Sequence, residues 1–451
     1  MFFKNDRSIA TTSDSSRIER LPRVHIYCDS IPPEPGTVGH GLTVCSEVQA
    51  FLDLGFEVEF VFIRTRDNLP SSPGYFKQLN CTIVDARSDR ASCLTRLAYW
   101  AGWPGELALR QLYPARKAIL RAALSRIRKD PSAIHVFHYL QTANVIPRLP
   151  AARTLWACHD IESEFLVRDA AIDEKREKRQ PYGWESRKLR RVSDLERAVA
   201  CASGLVACVA PEDAKQIVEE WRVPRAAYLP ISITNGDNTV AAGAGRAAGH
   251  LRLLHVGALD LPANYSSLEF LFTRVFPLLD AETLSQLKIE AVGTSAPGGA
   301  RTNAIMEMAR PYPMVRFSGF VEDIRTAYAR NDLQVVASTK ATGRRSRIIE
   351  SWAYGLPVLC TTVAAGGVRY LEPGRNILIA DDPRDFARIL KELIDTPNRL
   401  NEIAVAARQT YDAKFGRQAV AGALRELLNT YFALELPPVA VGQGVSQERT
   451  S

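Results

Sequence analysis

RVHIYCDSIPPEPGTVGHGLTVCSEVQAFLDLGFEVEFVFIR, residues 23–64, carries the order of elements that sets the fold. Its first eight residues, rich in β-branched and aromatic side chains, read as a buried strand that runs into a Pro- and Gly-rich loop at 31–41. A helix is predicted from about 42 to 54, Gly55 stops it as a C′ glycine, and FEVEFVFIR (56–64) is a second strand. Strand, loop, helix and strand in that order open a parallel, doubly wound sheet.

The pattern continues outward. Further strands are predicted at 81–86, 133–140, 154–160 and 204–210, with helical segments between several of them, which makes 23–235 one α/β domain behind a flexible tail at 1–22. Residues 236–250 are small and have almost nothing to bury, the composition of an interdomain linker. The alternation then restarts with LRLLHVGAL (251–259), followed by strands at 287–294, 314–320, 333–338 and 356–362, so 251–410 reads as a second Rossmann-like domain. A last helix is expected at about 411–434 within a segment 411–436, and the end, 437–451, as a mobile tail.

Composition fits this division. With 451 residues, 46% apolar and 24% charged, the chain is long enough for two packed cores and is neither disordered nor fibrous. The first residues lack the apolar centre of a secretory signal and no stretch is long enough to span a bilayer, so a cytoplasmic location is expected, with contact at the inner face of the membrane left open. The eight cysteines are scattered, with no C-x-x-C pair, and read as reduced core thiols. A formal net charge of +7 leaves open an anionic lipid, a diphosphate-bearing substrate or nucleic acid.

Ligands of doubly wound sheets bind at the carboxyl ends of the strands. The most informative loop there is TGRRSRIIESWAYGLPVLCTTVAAGG, residues 342–367. Arg345 and Arg347 precede a short helix carrying Glu350, and an apolar strand then leads to Gly366 and Gly367. Guanidinium forks and free backbone N–H groups suit a diphosphate, and a carboxylate one turn into the helix can accept hydrogen bonds from a ribose diol. An ordinary solvated Glu–Arg helix face has the same composition.

This segment resembles the signature of GT-B glycosyltransferases of the retaining, glycogen-synthase-like superfamily, in which a basic residue, a glutamate and a G-x-P-V strand follow in this order. LLHVGALDLPANYSSLEFLFTRVFPLL (253–279) is similar to the start of that superfamily's donor domain, and VRFSGFVEDIRTAYARNDLQVVAS (315–338) to its run toward the pyrophosphate loop. PGTVGHGLTVCSEVQAFLDLGFEVEFV (35–61) and TLWACHDIES (154–163) resemble its opening glycine loop and the strand that delivers a histidine into the cleft.

The resemblance implies a GT-B architecture of two Rossmann-like domains facing across a cleft, and a transferase using a nucleoside-diphosphate sugar, with no cofactor or metal. It implies that Arg347 and Arg345 contact the donor diphosphate and that Glu350 binds its ribose. Gly39 approaches the phosphates and the sugar, while Gly257, Gly366 and Gly367 line the donor loops. His159 lies near the transferred sugar, and Asp160 orients it or the acceptor. Without the resemblance, His159 reads as a core histidine.

Two departures stand out. Where many relatives carry a second glutamate, eight positions before the ribose-binding one, this chain has Thr342; where many carry an Arg and a Lys after the first donor-domain strand, it has Ala258 and Asn264. A degenerate subunit that binds without turning over, or a sugar-nucleotide 2-epimerase, therefore stays open beside the transferase. The acceptor is expected to be a glycan or a lipid-linked hydroxyl. The stretch 94–129, with Trp100, Trp103 and Arg110, Arg116, Lys117, Arg121, Arg126 and Arg128, suits a helix resting on anionic lipid as well as a solvated hairpin. The charged stretch 173–197 reads as a solvated helix, with no nucleic-acid module beside it.

Overall fold

Strands that are buried at every position belong in a parallel sheet covered on both faces. β1 (Val24–Cys28) and β4 (Ile134–His138) are buried along their whole length. In the computed structural model, which describes residues 21–29, 40–65, 80–86, 109, 112–150, 152–164, 166–167, 183–233, 249–294, 299–340 and 346–438, they form the middle of an all-parallel sheet. With β2 (Val58–Arg64), β3 (Asn80–Asp85), β5 (Arg153–Cys158), β6 (Leu205–Cys208) and β7 (Ala226–Tyr228) the order is β3-β2-β1-β4-β5-β6-β7.

A second all-parallel sheet joins β8 (Leu251–Val256), β9 (Leu287–Val292), β10 (Val315–Gly319), β11 (Leu333–Val336), β12 (Val358–Cys360) and β13 (Leu378–Ile379) in the order β10-β9-β8-β11-β12-β13. Both sheets thus run outward from a central pair, β1/β4 and β8/β11, where the strand order reverses. Helices pack on both faces of each, and every Leu, Val or Phe fully buried there contributes about 1.5–3 kcal/mol relative to exposure.

Two strands end earlier than the sequence suggests. The run at 133–140 stops at His138, because Tyr139 takes a left-handed φ of 59° and begins the short helix Tyr139–Ala143. The run at 154–160 stops at Cys158, and His159 and Asp160 form a bend.

The expected single helix at 411–434 is two. Helix Pro397–Lys414 ends at Phe415, and Arg417–Phe432 follows Gly416. A side chain at Gly416 would put its Cβ 2.8 Å from the Asp412 carbonyl oxygen, so the break needs glycine. The second helix leaves the second sheet and packs Val420, Ala421, Leu424, Leu428 and Phe432 into the core beneath the first, where Arg417 also pairs with Asp53. Tyr411 ties the same crossing from the other side: its hydroxyl accepts from Ile233 N at 3.1 Å and donates to Ile233 O at 3.2 Å.

Among the described residues, no helix is long and apolar enough to cross a membrane. Within the basic stretch, Arg116 is buried and donates to Asn144 Oδ1 at 2.8 Å, and Arg126 pairs with Glu59 at 2.6 Å. These two cations are spent inside the fold; Trp100, Trp103 and Arg110 lie outside the described residues, as do nearly all of both tails and of 236–250.

Candidate functional site

Where strand order reverses, the neighbouring connections leave on opposite faces and open a crevice at the carboxyl edge. In the second sheet that edge begins at Val256 and Gly257. Gly257 has φ 140°, and a Cβ there would lie 2.3 Å from Asn264 Nδ2, so no side chain fits. Asn264, buried at the start of helix Pro262–Phe270, donates through Nδ2 to Ala258 O at 2.7 Å and offers Oδ1 to Arg347.

Arg347 lies in the first turn of helix Ser346–Ala353, which Ile348, Ile349 and Trp352 anchor in the core. Its Nη1 donates to Val256 O at 3.0 Å as well as to Asn264 Oδ1. The guanidinium is thereby fixed at the end of β8. One turn further, Glu350 is buried and accepts from the Tyr328 hydroxyl at 3.1 Å. Burial pushes its carboxyl up to about 7, against the opposing pull of that hydrogen bond and of the Arg347 charge. His255 adds no cation, because burial, and then Arg347, hold its imidazole down to about 3.

The same edge is laced together. Thr361 Oγ1 donates to Ser338 O at 2.6 Å, and Ser338 Oγ donates to Ala263 O at 2.8 Å, linking the ends of β12 and β11 to the start of helix Pro262–Phe270. Gly366 and Gly367 follow a turn, Thr362–Ala365, that the sequence reading did not contain. The Gly366 N–H closes that turn on Thr362 O at 3.1 Å, and the Thr362 N–H is held by Asp381 Oδ1 at 2.8 Å. These two amides are therefore engaged within the protein. A Cβ on Gly367 would lie 3.9 Å from Glu212 Oε2, so the first turn of helix Pro211–Glu219 faces this loop. Gly39, Arg345 and Thr342 lie outside the described residues.

The carboxyl edge of the first sheet is built from imidazoles. His159, at the end of β5, is buried rather than open to a cleft. Its Nε2 is 2.9 Å from His138 Nδ1, at the end of β4, and His138 Nε2 is 3.4 Å from Glu47 Oε2 in helix His40–Asp53. The Tyr139 ring lies over His159 with centroids 3.9 Å apart. The bend that carries Asp160 continues to Glu162 and Ser163, whose N–H groups, with Ser163 Oγ, bind the buried Glu196 carboxylate. Burial raises Glu196 to about 7, although those hydrogen bonds oppose it.

Reading the residues alone did not find Tyr328, Glu47, His138, Tyr139 or Glu196. Glu47 had one visible signal, an acid inside the otherwise uncharged helix run LTVCSEVQAF. Glu47, His138 and His159 also offer metal-ligand atoms within 4.8 Å of one another.

Comparisons with known proteins agree with this architecture. Residues 250–396 match the family Glycosyl transferases group 1. No curated protein matches the chain. Among solved structures, sucrose-phosphate synthase from Thermosynechococcus elongatus superposes with a TM-score of 0.65 at 18% identity, covering 92% of this chain and 100% of its own. Anabaena HepE in complex with UDP and glucose gives 0.60 at 14% identity, covering 91% and 100%. S. aureus TarM in complex with fondaparinux, alpha-GlcNAc-glycerol and UDP gives 0.61 at 9% identity, again 91% and 100%.

The fold is that of GT-B glycosyltransferases, two parallel α/β sheets matched over nearly the whole chain. The second half carries the glycosyl transferases group 1 domain, and the chain is an enzyme of the glycosyltransferase class.

Proposed function

We propose that the chain transfers a sugar from a nucleoside diphosphate to a hydroxyl of a glycan or lipid-linked acceptor, with retention of configuration and without a metal ion. The observation that carries this reading is the clamped Arg347 at the β8/β11 switch, one turn before the buried Glu350. Cleaving the bond between sugar and diphosphate builds negative charge on the leaving phosphate. A guanidinium already held in place by Val256 O and Asn264 needs no reorganisation to meet that charge, which is why such a group is effective. Arg345 stands two residues away as the second cation of the reading, in place of a metal.

Glu350 receives the ribose hydroxyls. A carboxyl raised to about 7 ionises more readily once such donors reach it, so nucleotide binding and its deprotonation support each other. Gly257 lets the donor approach the β8 backbone, and Gly366 and Gly367 form the facing rim; Gly39 keeps the role toward the phosphates that the resemblance implies. His159 and Asp160 border the transferred sugar from the first sheet. The leaving phosphate takes the acceptor proton on the same face, so no separate carboxylate base is assigned. UDP in the HepE and TarM complexes supports a nucleotide-linked donor.

Nucleotide release from UDP, GDP and ADP sugars, by wild type, Glu350→Ala and Arg347→Ala, tests the proposal. Consumption of one donor by wild type alone supports it. Turnover without acceptor points to the epimerase. Binding without turnover, even with membrane extract as acceptor source, points to the degenerate subunit.

A further inference from the structure

Three buried side chains from three elements meet at the β1/β4 switch: Glu47, His138 and His159. Neither His138 nor Glu47 has a part in the reaction as derived so far. A neutral imidazole has one donor and one acceptor nitrogen, and an ionised carboxylate only accepts. The placement of protons along this row is therefore biased by its charged end. With Glu47 ionised, charge attraction across 3.4 Å, longer than a hydrogen bond, favours the proton of His138 on Nε2, which leaves His138 Nδ1 unprotonated. The 2.9 Å contact to His159 Nε2 then requires the proton of His159 on that nitrogen.

We infer that Glu47 and His138 are positioning residues that pin the proton of His159 on Nε2, so that its Nδ1 is an acceptor for a hydroxyl of the transferred sugar. The inference rests on the donor-sugar reading of His159. The anion is assigned to Glu47, whose carboxylate faces the His138 imidazole at 3.4 Å. Burial holds the imidazoles of His135 and His255 down to about 3, and His138 and His159 are as deeply buried. The backbone supports a built arrangement: Tyr139, at φ 59°, occupies a conformation that costs a side-chain-bearing residue about 1–3 kcal/mol, and in it the ring covers His159.

Metal ligation would arrange the same atoms differently. Two nitrogens on one tetrahedral zinc ion stand about 3.3 Å apart, given bonds of about 2.0–2.1 Å. The observed 2.9 Å is a hydrogen bond.

The test has a spectroscopic and a kinetic arm. Long-range ¹H–¹⁵N spectra of histidine-labelled wild type at pH 7.5, assigned by His159→Gln and His138→Gln, are expected to show His159 protonated at Nε2 only. A proton on Nδ1, or on both nitrogens, overturns the inference, as does one equivalent of zinc retained through dialysis whose removal shifts these signals. In turnover, His138→Phe is expected to lower kcat about tenfold or more with little change in KM. His138→Asn, whose amide oxygen can accept from Nε2–H, is expected to recover most of that loss. Equal loss in both variants, each folded by circular dichroism, also overturns it. The spectra need no substrate, so they stand even if no donor is consumed and the transferase reading fails.

Discussion

The two strand-order switches occupy equivalent places in similar sheets and are built from opposite chemistry. At β8/β11 a fixed cation lies beside a backbone stripped of side chains, with a buried carboxyl one turn away. At β1/β4 the edge holds imidazoles and a carboxylate, covered by an aromatic ring. A cation with open backbone suits phosphate, whereas imidazoles suit the hydroxyls of a neutral sugar. In the proposed function, similar sheets divide one substrate between them by side chains alone, as expected where function is grafted onto a fold.

Removing the cation should separate the two regions most sharply. Arg347→Ala is expected to lower kcat/KM by about a hundredfold to a thousandfold, roughly 3–4 kcal/mol, with a small change in thermal stability. A loss below fivefold would place the charge stabilisation elsewhere.

The second effect is set by pH. Glu350 is raised above its unfolded value, so its contribution to stability is full below about pH 4.5 and is lost as pH rises through about 7. Urea titrations of wild type across that window should show up to about 3 kcal/mol more decline than those of Glu350→Gln. Nucleotide binding should strengthen over the same range in wild type and stay flat in the variant. Equal pH slopes for the two proteins would remove Glu350 from this role.

In the first half the matching buried carboxyl is Glu196, which binds the loop after His159 instead of a ligand. Glu196→Gln replaces one accepting oxygen with a donor, which should cost about 1–3 kcal/mol in urea unfolding. An unchanged midpoint would show that this loop does not depend on the cap. The smallest effect is expected for Asn264→Ala, which frees Arg347 from one of its two acceptors: about a fivefold loss of kcat/KM, roughly 1 kcal/mol. A loss as large as that of Arg347→Ala would instead make Asn264 a ligand in its own right.

Most of the fold can be read in the sequence because parallel strands buried on both faces leave long apolar runs, as at 56–64 and 251–256. β7 and β13 escape that reading: they are edge strands of three and two residues, too short for a pattern. The break at Gly416 escapes because one glycine inside an apolar helical pattern is commonly tolerated.

The site is unevenly legible for a physical reason. Arg347 and Glu350 share one helix, and their spacing of three residues places them on one face. Tyr328, Asn264 and Arg347 are distant in sequence and meet only after the sheet forms. The histidines carry still less local information. His25 and His135, earlier in their strands, are held by Glu59 and Tyr27, whereas His138 and His159 stand at strand ends. Only the register distinguishes these two pairs.

The central claim, that the nucleotide half of the donor is held at the β8/β11 switch, is tested most directly by calorimetric titration of UDP, GDP and ADP into wild type, Arg347→Ala, Glu350→Ala and His159→Ala. The account predicts that one nucleotide binds wild type and His159→Ala with similar affinity, and binds the Arg347 and Glu350 variants at least about tenfold more weakly. Binding that survives both of those substitutions but is lost in His159→Ala would contradict it.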